Sequence, residues 1–80
     1  MEINSFIKMT EDAVDGIAAG SLQESTLLAD IPQWDSLAVL TMLAQFDAEY
    51  SVQVSGSEMQ QCRSVGDLFR TVQTKVEKKG

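Results

Sequence analysis

The run Ile31-Pro32-Gln33-Trp34-Asp35-Ser36-Leu37-Ala38-Val39-Leu40-Thr41-Met42-Leu43-Ala44-Gln45-Phe46-Asp47-Ala48-Glu49-Tyr50 decides the fold. Pro32 disrupts a helix interior, because its ring removes a donor and crowds the preceding turn. Asp35 then offers a good N-cap, a carboxylate able to accept from the backbone N–H of Leu37 or Ala38. The spacing predicts a helix over 36–50. Its apolar members Leu37, Val39, Leu40, Met42, Leu43, Ala44, Phe46 and Tyr50 spread over an arc too wide for one buried stripe. Such a helix is either central to a bundle or partly open to a partner. The Ser36 hydroxyl falls at the helix N-terminus, where backbone N–H groups lack partners and the dipole favours negative charge. That setting suits a phosphate-linked group better than catalysis. Taken alone, though, Asp-Ser-Leu is ordinary capping chemistry.

Upstream, Ile3, Phe6, Ile7, Ala13, Val14 and Ile17 recur at helical spacing and predict an amphipathic helix over 3–17, weakened by Gly16 and ended by Gly20. Residues 18–35 then form a long connection. Its apolar members Leu22, Leu27, Leu28 and Ile31 suggest a loop pinned to the core, and loops of this length are often functional. Downstream, Ser51-Val52-Gln53-Val54 alternates like a strand but has no pairing partner, and reads as an extended link. Ser57-Glu58-Met59-Gln60 reads as a capping box opening a brief third helix, and Ser64-Val65-Gly66-Asp67 as another. Val65, Leu68, Phe69, Val72 and Val76 carry the last helix to the end. The expected architecture is all-α: a small four-helix bundle, three helices longer and the third short, with a long first loop. The 80 residues make one domain, 1–80, near the lower end of what buries a self-sufficient core.

Composition narrows the chemistry. The chain has no histidine, which excludes Ser-His and Cys-His nucleophile systems, and its single cysteine, Cys62, cannot build a zinc site alone. The acidic residues lack the spacing and glycine of a calcium loop, and no glycine-rich phosphate loop occurs. No catalytic residue and no metal ligand is therefore expected, and the protein is not read as an enzyme. The net charge is −6, and of the six basic residues only Lys8 precedes Arg63. A negative field over most of the chain disfavours nucleic acid and anionic membranes and favours partners with basic docking faces. One cysteine permits no internal disulfide, and no run approaches a signal peptide or membrane span. A cytoplasmic protein without membrane insertion, and a monomer, are expected.

Nearly the whole chain resembles an acyl carrier protein. Asp35, Ser36 and Leu37 match that family's motif without gaps. Leu40, Leu43, Phe46, Tyr50 and Val54 match its apolar positions in helix two and the loop after it, and Ser64-Val65 matches the opening of helix four. The resemblance implies a four-helix carrier whose Ser36 accepts 4′-phosphopantetheine from coenzyme A. Asp35 and Leu37 are then read by a phosphopantetheinyl transferase. Further partners are acyl-loading, acyl-modifying and acyl-transfer enzymes, and the cargo is an acyl thioester in a fatty-acid, polyketide or lipid pathway. Val39, Met42, Asp47 and Glu49 are expected at the partner face. Ala38 and Thr41 stand where the fatty-acid type carries acids, which implies a more specialised pathway. Leu28, Phe46, Val54, Met59, Cys62 and Leu68 match the family's acyl pocket. Phe46 and Leu68 are bulky there, implying a filled core that shelters long chains poorly, and Cys62 reads as small buried filler. Trp34 replaces a small residue and is expected to cap the core beside Pro32. Two readings stay open: an aminoacyl or peptidyl carrier, and a helical interaction module in which Ser36 only caps.

Overall fold

A computed structural model describes residues 2–79. Four helices follow in order: α1 (Ile3–Ala13), α2 (Ser36–Tyr50), α3 (Gly56–Gln61) and α4 (Val65–Lys79). A 3₁₀ turn, Leu28–Asp30, interrupts the long connection between α1 and α2. Among the described residues there is no strand, only an isolated bridge between Leu27 and Ser64. The expected all-α bundle, with a short third helix and a long first loop, is what forms.

Phe6 of α1 sits at the centre of the core. Its ring stacks on Phe46 of α2 at 5.8 Å and meets Phe69 of α4 edge-on at 5.4 Å. Each such pair contributes about 0.5–1.5 kcal/mol beyond the area it buries, so one residue ties three helices together. Met42, Leu68 and Val72 complete the fully buried centre. No buried side-chain polar atom among the described residues lacks a partner; the one deep hydroxyl, Thr10 Oγ1, donates to the Phe6 carbonyl at 3.0 Å.

The first helix is shorter than its apolar pattern, ending at Ala13 rather than residue 17. Val14 takes an extended conformation yet remains buried, so the periodicity marked the core face correctly and the backbone wrongly. The cause is non-local. Glu11 is buried, and its carboxylate accepts from the N–H groups of Gly20 and Leu22, both at 3.0 Å. These bonds draw the chain back across the end of α1, through left-handed turns at Gly16 (φ 90°) and Gly20 (φ 80°). The Gly20 N–H first, then that of Leu22, holds the Glu11 carboxyl below its usual range, against the opposing effect of burial.

The connection is pinned as expected at Leu22, Leu28 and Ile31, all buried, but Leu27 is exposed. Leu27 turns outward because its backbone is engaged instead. Residues 24–28 lie against the start of α4: Leu28 N–H donates to the Arg63 carbonyl (2.8 Å), Val65 N–H to that of Thr26 (2.9 Å) and Gly66 N–H to that of Glu24 (2.9 Å). A Cβ on Gly66 would lie 2.8 Å from Glu24 Cγ, so this close approach requires glycine.

Two further ends follow local chemistry. Ser51 closes α2 in the left-handed conformation (φ 55°) and donates its N–H to the Asp47 carbonyl. At α4 the expected box forms: Asp67 N–H donates to Ser64 Oγ (3.1 Å), and Asp67 Oδ2 accepts from Ser64 N–H (3.3 Å). The box at α3 is shifted. Ser55, not Ser57, is the cap, paired reciprocally with Glu58 at 2.9 and 3.1 Å. A Glu carboxylate is a stronger acceptor than the Gln60 amide, and the register with Glu58 turns Met59 into the core.

Candidate functional site

Ser36 is the first residue of α2, and the preceding turns place it there. Trp34 N–H donates to the Ile31 carbonyl across Pro32, and Gln33 Nε2 donates to the Gly16 carbonyl at 2.9 Å, tying the loop's two ends together. Asp35 then leaves the loop extended, and its Oδ1 accepts from Ala38 N–H at 2.9 Å, as its cap role requires. The Ser36 side chain is exposed, and its hydroxyl makes no hydrogen bond among the described residues. The N–H groups of Ser36 and Leu37 are likewise unpaired, orphan donors at the positive end of a 15-residue helix. A free hydroxyl beside free donors is a fitting seat for a phosphodiester.

Around this point the surface is apolar. Leu37 is 72% exposed and Leu40 63%. A groove of about 550 Å³ begins at Trp34, Asp35 and Ser36 and runs between Val39, Leu40 and Leu43 of α2 and Gly56, Met59 and Gln60 of α3. Trp34 is half-buried: it packs on the core, as its expected role of cap requires, and it also forms one end of the groove.

Asp35, Ser36 and Leu37 are thus together, at one helix end. The expected partner face divides. Asp47 and Glu49 are exposed and Val39 is half-buried, but Met42 is fully buried and belongs to the core. Leu40 takes the outward position instead. Because α2 is apolar around most of its girth, its periodicity did not say which face turns inward. Of the residues expected to line an inner pocket, Leu28, Phe46, Val54, Met59 and Leu68 are buried. Cys62 is only half-buried, its thiol donating to the Glu58 carbonyl at 3.3 Å and lying 3.4 Å from Thr71 Oγ1. The groove itself was not legible in the sequence, because nothing local says that Leu40 turns outward or that Gly56 lies across from it.

The solution NMR structure of the holo acyl carrier protein from Geobacter metallireducens matches this chain with a TM-score of 0.80 and 25% sequence identity, over 96% of this chain and 87% of that one. The fold is that of an acyl carrier protein. No family model and no curated protein matches the sequence. The expected acyl carrier resemblance therefore holds for the fold, over nearly the whole chain. Within this acyl carrier fold, no helix among the described residues is long and apolar enough to cross a membrane. No cluster of metal-ligating side chains occurs among them either.

Proposed function

We propose that this protein is a carrier of acyl groups, with 4′-phosphopantetheine attached through Ser36 Oγ. The observation that carries the reading is the unpaired, exposed Ser36 hydroxyl at the capped start of α2, in an acyl carrier fold. When bound, the arm supplies a thiol on which acyl groups travel as thioesters. The chain itself binds, orients and presents. Asp35 fixes the helix start through Ala38 N–H, so the Ser36 oxygen is held in one place when a phosphopantetheinyl transferase delivers the group from coenzyme A. The orphan N–H groups of Ser36 and Leu37 offset the phosphate's charge. Leu37, exposed beside the serine, offers the transferase an apolar contact.

The carrier acts in the cytoplasm, as a monomeric single domain, in a fatty-acid, polyketide or lipid pathway. It meets acyl-loading, acyl-modifying and acyl-transfer enzymes in turn and makes no bonds of its own. The first three turns of α2 carry no charge on their exposed side chains beyond the cap, with acids only at Asp47 and Glu49. Docking therefore depends on apolar contact more than on charge, with weak salt dependence.

The test is intact-mass spectrometry after incubation with coenzyme A, magnesium and a broad-specificity transferase. The expected result is a gain of one phosphopantetheine, absent in Ser36→Ala. A folded protein that gains nothing, with the host's own transferase as well, leaves the interaction-module reading in its place. Loading with amino acids in preference to acyl groups would identify a peptidyl carrier.

A further inference from the structure

We propose that Gln33 is a positioning residue for modification at Ser36. Its side chain fastens the turn that carries the serine to the end of α1, so that a transferase meets that turn already in place. This rests on Ser36 being the attachment point.

Gln33 is held through its side chain and its backbone together. Its Nε2 donates to the Gly16 carbonyl at 2.9 Å, and its own carbonyl accepts from Asp35 N–H at 3.1 Å. Asp35 Oδ1 in turn accepts from Ala38 N–H at 2.9 Å. These hydrogen bonds run in series from the end of α1 to the first turn of α2, and Ser36 lies inside the last of them. Among the described residues, Gln33 makes the only side-chain hydrogen bond between the stretch 31–37 and a distant part of the chain. Ile31 is buried and Trp34 packs on the core, which fixes where the chain passes. Such apolar contacts are non-directional, whereas hydrogen bonds set which way the peptide groups face.

The surroundings suit a neutral donor. Gly16 takes a left-handed conformation (φ 90°), and a Cβ there would lie 3.2 Å from Gln33 Cγ and press the amide off its carbonyl. Gln33 is half-buried and separates two surface hollows, one beside Val14 and Thr41, the other beside Ile17 and Ile31. Asp15 and Asp35 line the first hollow with it, so a carboxylate at position 33 would add repulsion as well as lose the donor. Cutting this exposed bond leaves the core untouched and the protein folded. The turn then samples other orientations, and a transferase's apparent affinity falls by the fraction of time the competent one is absent. Once bound, the serine reacts as before.

The experiment follows loading of the full chain by intact mass at varied carrier concentration, with coenzyme A, magnesium and a broad-specificity transferase. Gln33→Met keeps the length of the side chain and removes the donor. It is expected to raise KM for the carrier roughly fivefold, as when the competent turn falls to about a fifth of the population. The kcat and the KM for coenzyme A should not change. Gln33→Glu should raise the carrier KM at least as far. In the unmodified protein, hydrogen exchange at the Ala38 amide should quicken severalfold, while the amides of α4 and the urea midpoint keep their values. Wild-type KM in both variants overturns this inference alone. So does a raised KM with Ala38 exchange unaltered, which would make Gln33 a direct contact of the transferase. Exchange that quickens equally in α1 and α4 also overturns it, because the bond is then merely structural. No mass gain on the wild-type chain overturns the carrier reading and this inference together.

Discussion

Helices α2 and α4 are both 15 residues long, and they spend their apolar side chains differently. In α4, Val65, Leu68, Phe69 and Val72 form one buried stripe, while Arg70, Glu77, Lys78 and Lys79 face water. Nearly everything apolar on that helix contributes to stability. In α2, Ala38, Met42 and Phe46 form the buried stripe, yet Leu37 and Leu40 are left in solvent on the other side. A helix that needed only to fold would carry polar residues there. The excess on α2 gathers around Ser36 and the groove, and the contrast separates residues that hold the fold together from residues that serve the site.

The largest effect tests that separation at two serines. Ser36→Ala should abolish phosphopantetheine loading entirely and leave the unfolding midpoint unchanged, since its hydroxyl bonds to nothing. Ser64→Ala, which removes the α4 cap, should load normally and lose about 1 kcal/mol of stability. The next test compares leucines. Leu68→Ala, at a fully buried position, should cost about 2–5 kcal/mol by urea unfolding. Leu40→Ala should stay within about 0.5 kcal/mol, as expected for an exposed side chain, and impair partner docking instead. Equal costs at the two leucines would erase the distinction between the helices.

Acid should act through the scaffold and not the site. Glu11 is held low chiefly by the Gly20 N–H, Glu58 by that of Ser55 and Asp67 by that of Arg63. Each carboxylate contributes stability that is fully present above its ordinary pKa and is lost as the pH falls through its lowered folded-state value. Unfolding followed from pH 7 downward should show that loss below the usual carboxylate range. Glu11→Gln should remove part of it and cost about 1–3 kcal/mol at neutral pH, because one buried N–H then faces an amide. The smallest effect expected at a buried position is Gly66→Ala. Its added methyl meets Glu24 at the start of α4, and after the gain in helix propensity a net loss of about 1 kcal/mol should remain in thermal unfolding.

How much of this was legible in the sequence follows the range of the interaction. Asp35 as cap, Ser36 as first helical residue and the Ser64–Asp67 box are bonds between residues three apart, and all were readable. The end of α1 was not, because Glu11 reaches nine and eleven residues ahead to Gly20 and Leu22. Nor was the outward turn of Leu27, whose backbone neighbours are engaged with Arg63 and Val65. Between two overlapping signals at α3, Ser55–Glu58 and Ser57–Gln60, the carboxylate pair formed and the amide pair did not. The site was legible as a point, Ser36 with its cap, but not as a space. Which of Leu40 and Met42 turns outward depends on how α2 packs against α1, and a helix apolar on most sides does not announce that.

The brevity of α3 has a kinetic consequence. Six residues capped by one box, with Met59 their sole buried side chain, form the element with the least to lose on opening. Its amides should exchange with deuterated solvent well before those of α1, α2 and α4, whose aromatic rings interlock. One bank of the groove therefore loosens while the other stays fixed, and access to the space beside Ser36 follows the rhythm of that single short turn.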